Sequence, residues 1–179
     1  MKRLLLLRHA QALPAEDGSD INRTLSPKGL ADALALGKTL KKRELLPDYI
    51  LCSSARRTQK TCEEVLKGLE ENIHTEFLKS IYNASMGDLL TLIQSTKDSA
   101  DTLMIVGHNP TIYELVATMA AEGNESVLNH LAQGYAPATL GVIETDIEHW
   151  ANINPHACRI ADLLDPLDYN APARPTRWT

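Results

Sequence analysis

Reactive side chains occur at three points of this sequence, each close behind a short apolar segment. The first point carries Arg8 and His9, the second Arg56 and Arg57, and the third His108. Side chains that follow buried parallel strands project from one edge of the sheet, so the fold could bring these groups together. The resulting pocket would hold two imidazoles and up to three guanidiniums.

Phosphoryl transfer is the chemistry that such a pocket favours. Guanidinium groups bind phosphoryl oxygens through paired hydrogen bonds. A neutral imidazole is a nucleophile that can accept a phosphoryl group. A second, protonated imidazole can donate to the equatorial oxygens as charge shifts in the transition state. A metal site on the two histidines is the alternative, but neighbouring arginines would repel a cation, so we expect no metal and no cofactor.

The elements that must position these residues alternate between strands and helices. Continuous apolar runs at residues 4–7, 49–52 and 103–106 predict buried strands, and a further strand is expected near residues 73–77. Helix-start signals follow the strands. The predicted starts are Ser26 with Pro27, residue 55, Ser85 with Asp88, and Asn109 with Pro110.

This alternation predicts an α/β fold of three layers, α/β/α, with a mainly parallel sheet. After Gly134 the pattern changes. Strands are expected near residues 140–143 and 158–164, paired as an edge hairpin with no helix between them. Residues 166–179 contain three prolines and are expected to form an extended tail.

Composition restricts the class of protein. The 179 residues suit a single domain spanning 1–179, and 44% hydrophobic residues allow a sizeable core. The net charge of −5 argues against a nucleic-acid partner. The apolar run at residues 4–7 is too short for a signal peptide or a membrane span. Three widely spaced cysteines indicate reduced thiols and a cytoplasmic protein.

Four segments, in order, resemble the histidine phosphatase superfamily, the phosphoglycerate mutase-like clan, and within it the SixA-type phosphohistidine phosphatases. The first is Arg8-His9-Ala10, which resembles the RH(G/A) motif of that clan. The others are the D-x-x-R segment from Asp20 to Gly29, the strand and serines from Pro47 to Ser54, and Val106-Gly107-His108-Asn109-Pro110. The resemblance covers roughly residues 1–166 and implies a phosphoglycerate mutase-like fold.

The resemblance also implies roles for individual residues. His9 corresponds to the nucleophile, Arg8 and Arg57 to the phosphate-binding arginines, and His108 to the second histidine. Arg57 is preferred to Arg56 because it stands four residues after a serine and four before a threonine, as in the family. Backbone N–H groups near Ala138 are expected to face the phosphate.

One departure from the family pattern bears on the substrate. Ser80 stands where the mutase and ester-phosphatase branch carries a glutamate as general acid. An alkoxide leaves poorly without a proton donor, whereas the imidazole of a phosphohistidine leaves more easily. We therefore expect hydrolysis of phosphohistidine on a protein such as a phosphotransfer domain, with inorganic phosphate as product. The alternatives are a small-molecule phosphomonoesterase of the same superfamily and a non-catalytic module that binds phosphorylated ligands.

Five further residues are candidates for the rim of the pocket. They are Asp20, Arg23, Arg56, Tyr82 and Asn83. Each has an ordinary alternative: Asp20 and Arg23 as a loop ion pair, Arg56 as a surface residue, and Tyr82 as a buried core residue. Arg57 could likewise pair with a carboxylate such as Glu64 instead of a phosphate.

Overall fold

The computed structural model describes residues 1–16 and 18–169, which form a seven-stranded mixed sheet with helices on both faces. The strands are β1 (Lys2–Arg8), β2 (Tyr49–Ser53), β3 (Thr75–Leu78), β4 (Thr102–Gly107), β5 (Glu122–Gly123), β6 (Leu140–Thr145) and β7 (Arg159–Leu164). The α-helices are α1 (Pro27–Lys42), α2 (Arg56–Leu69), α3 (Met86–Gln94), α4 (Thr111–Met119), α5 (Glu125–Ala132) and α6 (Pro166–Tyr169). Short 3₁₀ turns lie at Asp20–Asn22, Lys79–Ile81, Trp150–Asn152 and Pro155–Ala157.

The sheet order is β3-β2-β4-β1-β6-β7-β5. β1 pairs in parallel with β4, β4 with β2, and β2 with β3, whereas β6 runs antiparallel to both of its neighbours. The predicted, mainly parallel sheet is therefore confirmed. Its central register sets Arg8 opposite Gly107, so the residues that follow β1 and β4 emerge side by side.

Two apolar cores, one on each face of the sheet, give the three predicted layers. Alternate residues of β1 point to opposite faces, as strand geometry requires. Leu4 and Leu6 pack with α3, α4 and α5, whereas Leu5 and Leu7 pack with α1 and α2. All four leucines are fully buried, which explains why the run is continuous and not alternating.

The predicted helix starts are confirmed at three of four places. The Ser26 side chain accepts a hydrogen bond from the backbone N–H of Gly29 at 3.0 Å, with Pro27 as the first helical residue. Ser85 and Asp88 form the expected capping box at α3. At α4 the helix begins only at Thr111, and the Asn109 side chain does not cap it: the Asn109 amide nitrogen donates to the carbonyl of Tyr135.

The sequence prediction is wrong at the end of the chain in two respects. β6 and β7 do pair, but not as an edge hairpin: β6 also pairs with β1, and the short β5 covers the outer side of β7. The predicted extended tail of residues 166–179 begins with helix α6, whose Tyr169 hydroxyl donates to the carbonyl of Ala138 at 2.7 Å. Residues 170–179 lie outside the described residues.

Three further observations complete the fold. Helix α5, which has no counterpart in the sequence prediction, packs Leu131 into the core. The three cysteines are free and buried. Among the residues that the structure describes, no helix has both the length and the apolar character needed to cross a membrane.

Candidate active site

The sheet and one helix deliver the four principal candidates to a single place. Arg8 ends β1 and His9 follows it, while His108 follows β4. Arg57 is the second residue of α2, the helix that directly follows β2. Because β1, β2 and β4 are neighbouring parallel strands, their carboxyl ends open at one edge of the sheet.

The Arg57 guanidinium lies between the two imidazoles. Its Nε donates to Nε2 of His9 at 3.3 Å, and its Nη2 lies 3.2 Å from Nδ1 of His108. The ring centroids of His9 and His108 are 5.4 Å apart. The structure thus brings both imidazoles into one pocket around Arg57, a residue that is only 6% exposed.

His9 is held in one tautomer by its own loop. Nδ1 lies 2.7 Å from the carbonyl oxygen of Ala10, so Nδ1 carries the proton and Nε2 keeps its lone pair. Burial and the nearby arginines lower the pKa of His9 from 6.5 to about 4. At neutral pH His9 is therefore an uncharged imidazole that can attack an electrophile through Nε2.

His108 is also neutral in this structure. Arginine can only donate, so Nδ1 of His108 accepts from Arg57, and Nε2 donates to Oγ of Ser53 at 2.8 Å. Burial, Arg57 and His9 lower the pKa of His108 from 6.5 to about 3. The protonated second imidazole that the sequence argument used belongs to the transition state, and it requires an anion beside His108 that opposes the effects of burial and Arg57.

Arg8 supplies a second guanidinium with spare donors. Its Nη1 donates to the carbonyl of Tyr135 at 2.7 Å, which fixes the direction of the side chain. Its Nε is buried and has no hydrogen-bond partner among the described residues. Burial also lowers the pKa of Arg8, although a guanidinium remains charged at neutral pH.

Asp20 already places an anion on Arg57. One carboxylate oxygen accepts from Nη2 of Arg57 at 3.0 Å and from the hydroxyl of Tyr82 at 2.6 Å. The other oxygen accepts from Nη1 of Arg23 at 3.1 Å. The Tyr82 hydrogen bond, followed by the arginines, lowers the pKa of Asp20 from 3.8 to about 2, so this carboxylate is ionised at neutral pH.

Of the rim candidates, Tyr82 contacts the pocket groups through its ring. Its ring packs edge-on against His108 at 5.5 Å, and the Arg57 guanidinium lies 5.8 Å from the ring centre. Asp20 and Arg23 form the loop ion pair and also reach the pocket through Arg57. Glu64 pairs with Lys67 and not with Arg57.

Two candidates lie away from the pocket groups. Asn83 is exposed, and among the described residues it has no side-chain hydrogen bond. Ala138 is fully buried, and its N–H donates to the backbone carbonyl of His9 at 3.1 Å. The expectation is therefore wrong for the N–H of Ala138 itself, which supports the His9 backbone, and it stays a prediction for the neighbouring N–H groups.

Three supporting residues carry contacts to which sequence reasoning gave no role. Ser53 accepts from His108, the Thr61 hydroxyl accepts from the backbone N–H of Ala10 at 3.0 Å, and Tyr135 holds Arg8 through its carbonyl. Ser53 and Thr61 are the serine and the threonine whose spacing identified Arg57. That spacing could therefore also have identified them as supporting residues. Tyr135 has no such signal, because its position depends on the approach to β6.

Residues with the geometry of a metal site occur elsewhere. Among the described residues, the cluster with closely spaced ligand atoms consists of His130, Asp165 and Asp168. It includes neither His9 nor His108. The pocket around Arg57 is instead suited to a small, multiply charged anion that both guanidiniums could grip.

Comparison with known proteins agrees with this geometry. The family model described as histidine phosphatase superfamily (branch 1) matches residues 4–94. An uncharacterized Mycobacterium tuberculosis protein, Rv1276c, is 26% identical over 162 residues, which cover 89% of this chain and 99% of that protein.

Solved structures extend the similarity to the whole fold. SixA from Agrobacterium tumefaciens is 29% identical, covers 92% of this chain and 98% of its own, and superposes with a TM-score of 0.77. SixA from Nakamurella multipartitia is 26% identical, covers 93% of this chain and 96% of its own, and also gives a TM-score of 0.77. With the family model matching half of its residues, the chain belongs to the histidine phosphatase superfamily, and it is of the SixA type.

Proposed function

We propose that this chain, a phosphatase of the histidine phosphatase superfamily, hydrolyses phosphohistidine on a protein partner through a covalent intermediate on His9. One observation carries the proposal: a single buried guanidinium, that of Arg57, contacts Nε2 of His9 and Nδ1 of His108. A phosphoryl group in line with His9 would therefore lie within reach of Arg57 and His108.

In the first step, Nε2 of His9 attacks phosphorus. A new N–P bond forms, the P–N bond of the substrate breaks, and the departing imidazole takes its proton from solvent. The Ala10 carbonyl, which accepts from Nδ1, supports the positive charge that develops on the His9 ring. Arg8 and Arg57 stabilise the equatorial oxygens electrostatically.

His108 changes its role as the substrate binds. A dianionic phosphoryl group beside Nδ1 opposes the effect of Arg57 and raises the pKa of His108 from about 3.

In the second step, water attacks the phosphoryl group, the bond to Nε2 breaks, and inorganic phosphate leaves with His9 neutral again.

The surrounding groups favour a P–N substrate over an alkyl phosphate. Asp20 is ionised, with its pKa at about 2, and its hydrogen bond raises the pKa of the Tyr82 hydroxyl. Neither group is therefore a good proton donor to a departing alkoxide at neutral pH. A departing imidazole needs no such donor in the pocket.

Quenched-flow labelling tests the proposal. A phosphotransfer protein carrying radioactive phosphohistidine should transfer an acid-labile, alkali-stable label to His9, and His9→Ala should abolish both label and turnover. His156→Ala, an exposed histidine, is the matched control and should label like the unaltered protein. Label in His9→Ala would remove His9 from the nucleophile role.

The same assay separates the alternatives. Sugar and aryl phosphates turned over faster than phosphohistidine would indicate a small-molecule phosphomonoesterase. Phosphate binding without release of inorganic phosphate from any probe would indicate a binding module. We expect chelators to leave turnover unchanged, since the proposed steps use side chains alone.

A further inference from the structure

A groove of about 360 Å³ lies beside the proposed catalytic pocket. It runs between the loop that follows β1 and the first turn of α2. Its lining residues are Leu13, Pro14, Glu16, Asn22, Arg23, Thr24 and Arg56. None of these residues is required by the phosphoryl-transfer steps described above.

Arg56 is the unusual member of this lining. It is exposed, and it is the one arginine in the described part of the chain whose side chain has neither a hydrogen bond nor an ion pair. The others all have partners: Arg3, Arg43 and Arg159 bind carboxylates, and Arg8, Arg23 and Arg57 bind groups in or next to the pocket. An unpaired guanidinium in a groove leaves its five donors available to a ligand.

The groove and the pocket share one wall. Arg23 is fixed by the carbonyl of Leu13 at 2.9 Å and by Asp20 at 3.1 Å. Asp20 in turn binds Arg57, which contacts His9. The contacts of Asp20 with Arg23 and with Arg57 therefore connect the groove to the pocket in which a phosphoryl group would lie.

The charge and apolar character of this surface select one kind of occupant. Among the described residues, the groove is lined by the guanidiniums of Arg23 and Arg56 and the carboxylate of Glu16, and Asp20 connects Arg23 to Arg57 in the pocket, although the whole chain carries −5. Leu13 and Ile21 add exposed apolar area at 37% and 39%. Such a surface fits a protein segment with acidic side chains beside an apolar one.

We propose that this Arg56 groove binds a carboxylate side chain that flanks the phosphohistidine on the substrate protein, and so contributes to substrate specificity. The proposal rests on the proposed function for the identity of the phosphorylated group. Arg56 supplies a guanidinium with free donors, and Arg23, which is held by Leu13 and Asp20, forms another part of the groove lining. An exposed carboxylate–guanidinium pair is worth up to about 1 kcal/mol, which corresponds to about a fivefold effect.

Two matched peptides test the proposal. Both carry one phosphohistidine, made with phosphoramidate, and one apolar neighbour; they differ only in having aspartates or asparagines at the flanking positions. We expect kcat/KM to be about fivefold higher for the aspartate peptide. Arg56→Gln should bring that ratio close to one, and Arg56→Glu should invert the preference in favour of the asparagine peptide.

Lys42→Gln is the matched control. Lys42 is exposed at the carboxyl end of α1, next to Lys41, which pairs with Glu70. Glu70 follows the last residue of α2, so the helix length places it about 20 Å from Arg56 at the first residue. The Lys42→Gln variant loses the same single positive charge as Arg56→Gln, and it should keep the fivefold ratio of kcat/KM between the two peptides. If the kcat/KM ratio fell equally in Lys42→Gln, the preference would be a long-range charge effect, and the proposed binding role of the Arg56 groove would be wrong.

Affinity gives an independent reading. Fluorescence polarisation with the same peptides, carrying a non-hydrolysable phosphohistidine mimic, should give a Kd about fivefold lower for the aspartate form. Equal Kd values and equal kcat/KM values would reject the groove even if hydrolysis is rapid. Unequal Kd values with no phosphate release would reject the catalytic proposal and keep the groove as a binding site for acidic phosphorylated ligands.

Discussion

The Arg57 guanidinium contacts three groups at once: Nε2 of His9, Nδ1 of His108 and the carboxylate of Asp20. It therefore fixes the direction of both imidazoles and carries the charge that a phosphoryl group would meet. Asp20 partly neutralises that charge, and a phosphoryl dianion must compete with this carboxylate. Among the residues of the site, Arg57 is consequently the most informative to replace.

We expect Arg57→Ala to lower kcat/KM for a small P–N substrate such as phosphoramidate by about 10²–10³-fold, the usual effect of losing one electrostatic donor. Arg57→Lys should recover only part of it, because an ammonium cannot reproduce the planar fork. Steady-state kinetics give the comparison, and circular dichroism checks folding. Arg56→Ala should lose less than Arg57→Ala; the reverse order would show that the residues were assigned the wrong way round.

The grouping of these residues could be predicted from the sequence, whereas several of their contacts could not. Arg8, His9 and His108 follow recognisable strands, and parallel strand ends meet at one edge. The role of the Ala138 N–H was predicted wrongly because this group donates to the backbone carbonyl of His9. Tyr135 was unpredictable, since its carbonyl reaches Arg8 only through the packing of a distant segment.

At the scale of the elements, the placement of Arg57 depends on how closely α1 and α2 approach. Gly37 and Gly68 face each other across the two helices, with a Cβ on Gly68 falling 2.3 Å from the carbonyl oxygen of Leu34. A Cβ on Gly37 would likewise fall 2.1 Å from the carbonyl oxygen of Val65. Both contacts are with backbone, which cannot rotate away, so any added side chain must separate the helices.

Gly68→Ala should therefore destabilise the protein by about 1–3 kcal/mol, the cost typical of overpacking. Urea unfolding followed by circular dichroism measures it as a lower midpoint. Gly87→Ala in α3 is the matched control, because its Cβ would meet nothing closer than 3.8 Å. Helix propensity favours alanine by about 0.5–1 kcal/mol, so this control should be neutral or slightly stabilising. Equal destabilisation by both would contradict the close helix contact.

Local signals account for the elements that could be predicted. The apolar runs of β1, β2 and β4 and the caps at Ser26 and Ser85 act within a few residues, so they are visible in the sequence. β5 is two residues long and exists only through pairing with β7, which no local pattern reports. The predicted start of α4 is also displaced, since the Asn109 side chain contacts the distant Tyr135 and Thr111 is the first helical residue.

At the scale of the whole molecule, charge is distributed unevenly. The chain carries −5, yet four arginines converge near one edge of the sheet. This contrast would attract an anionic partner to that edge and away from the remaining surface. The two imidazoles in the pocket stay uncharged at neutral pH because burial, and then the neighbouring arginines, lower the pKa of each.

Neutral buried imidazoles make the stability of the whole fold depend on pH. The pKa values of His9 and His108 are about 4 and about 3 in the folded chain, against 6.5 ordinarily, so below pH 6.5 the unfolded chain binds more protons. Stability should therefore be fully present above pH 6.5 and fall towards pH 4, by up to about 1.4 kcal/mol per pH unit for each imidazole. Urea unfolding across this range measures the slope. The double variant His9→Gln/His108→Gln should show a smaller dependence of the unfolding free energy on pH. The control His156→Gln, at an exposed histidine, should show the same dependence as the unaltered protein. An unchanged slope in the double variant would mean that neither imidazole is held neutral by the fold.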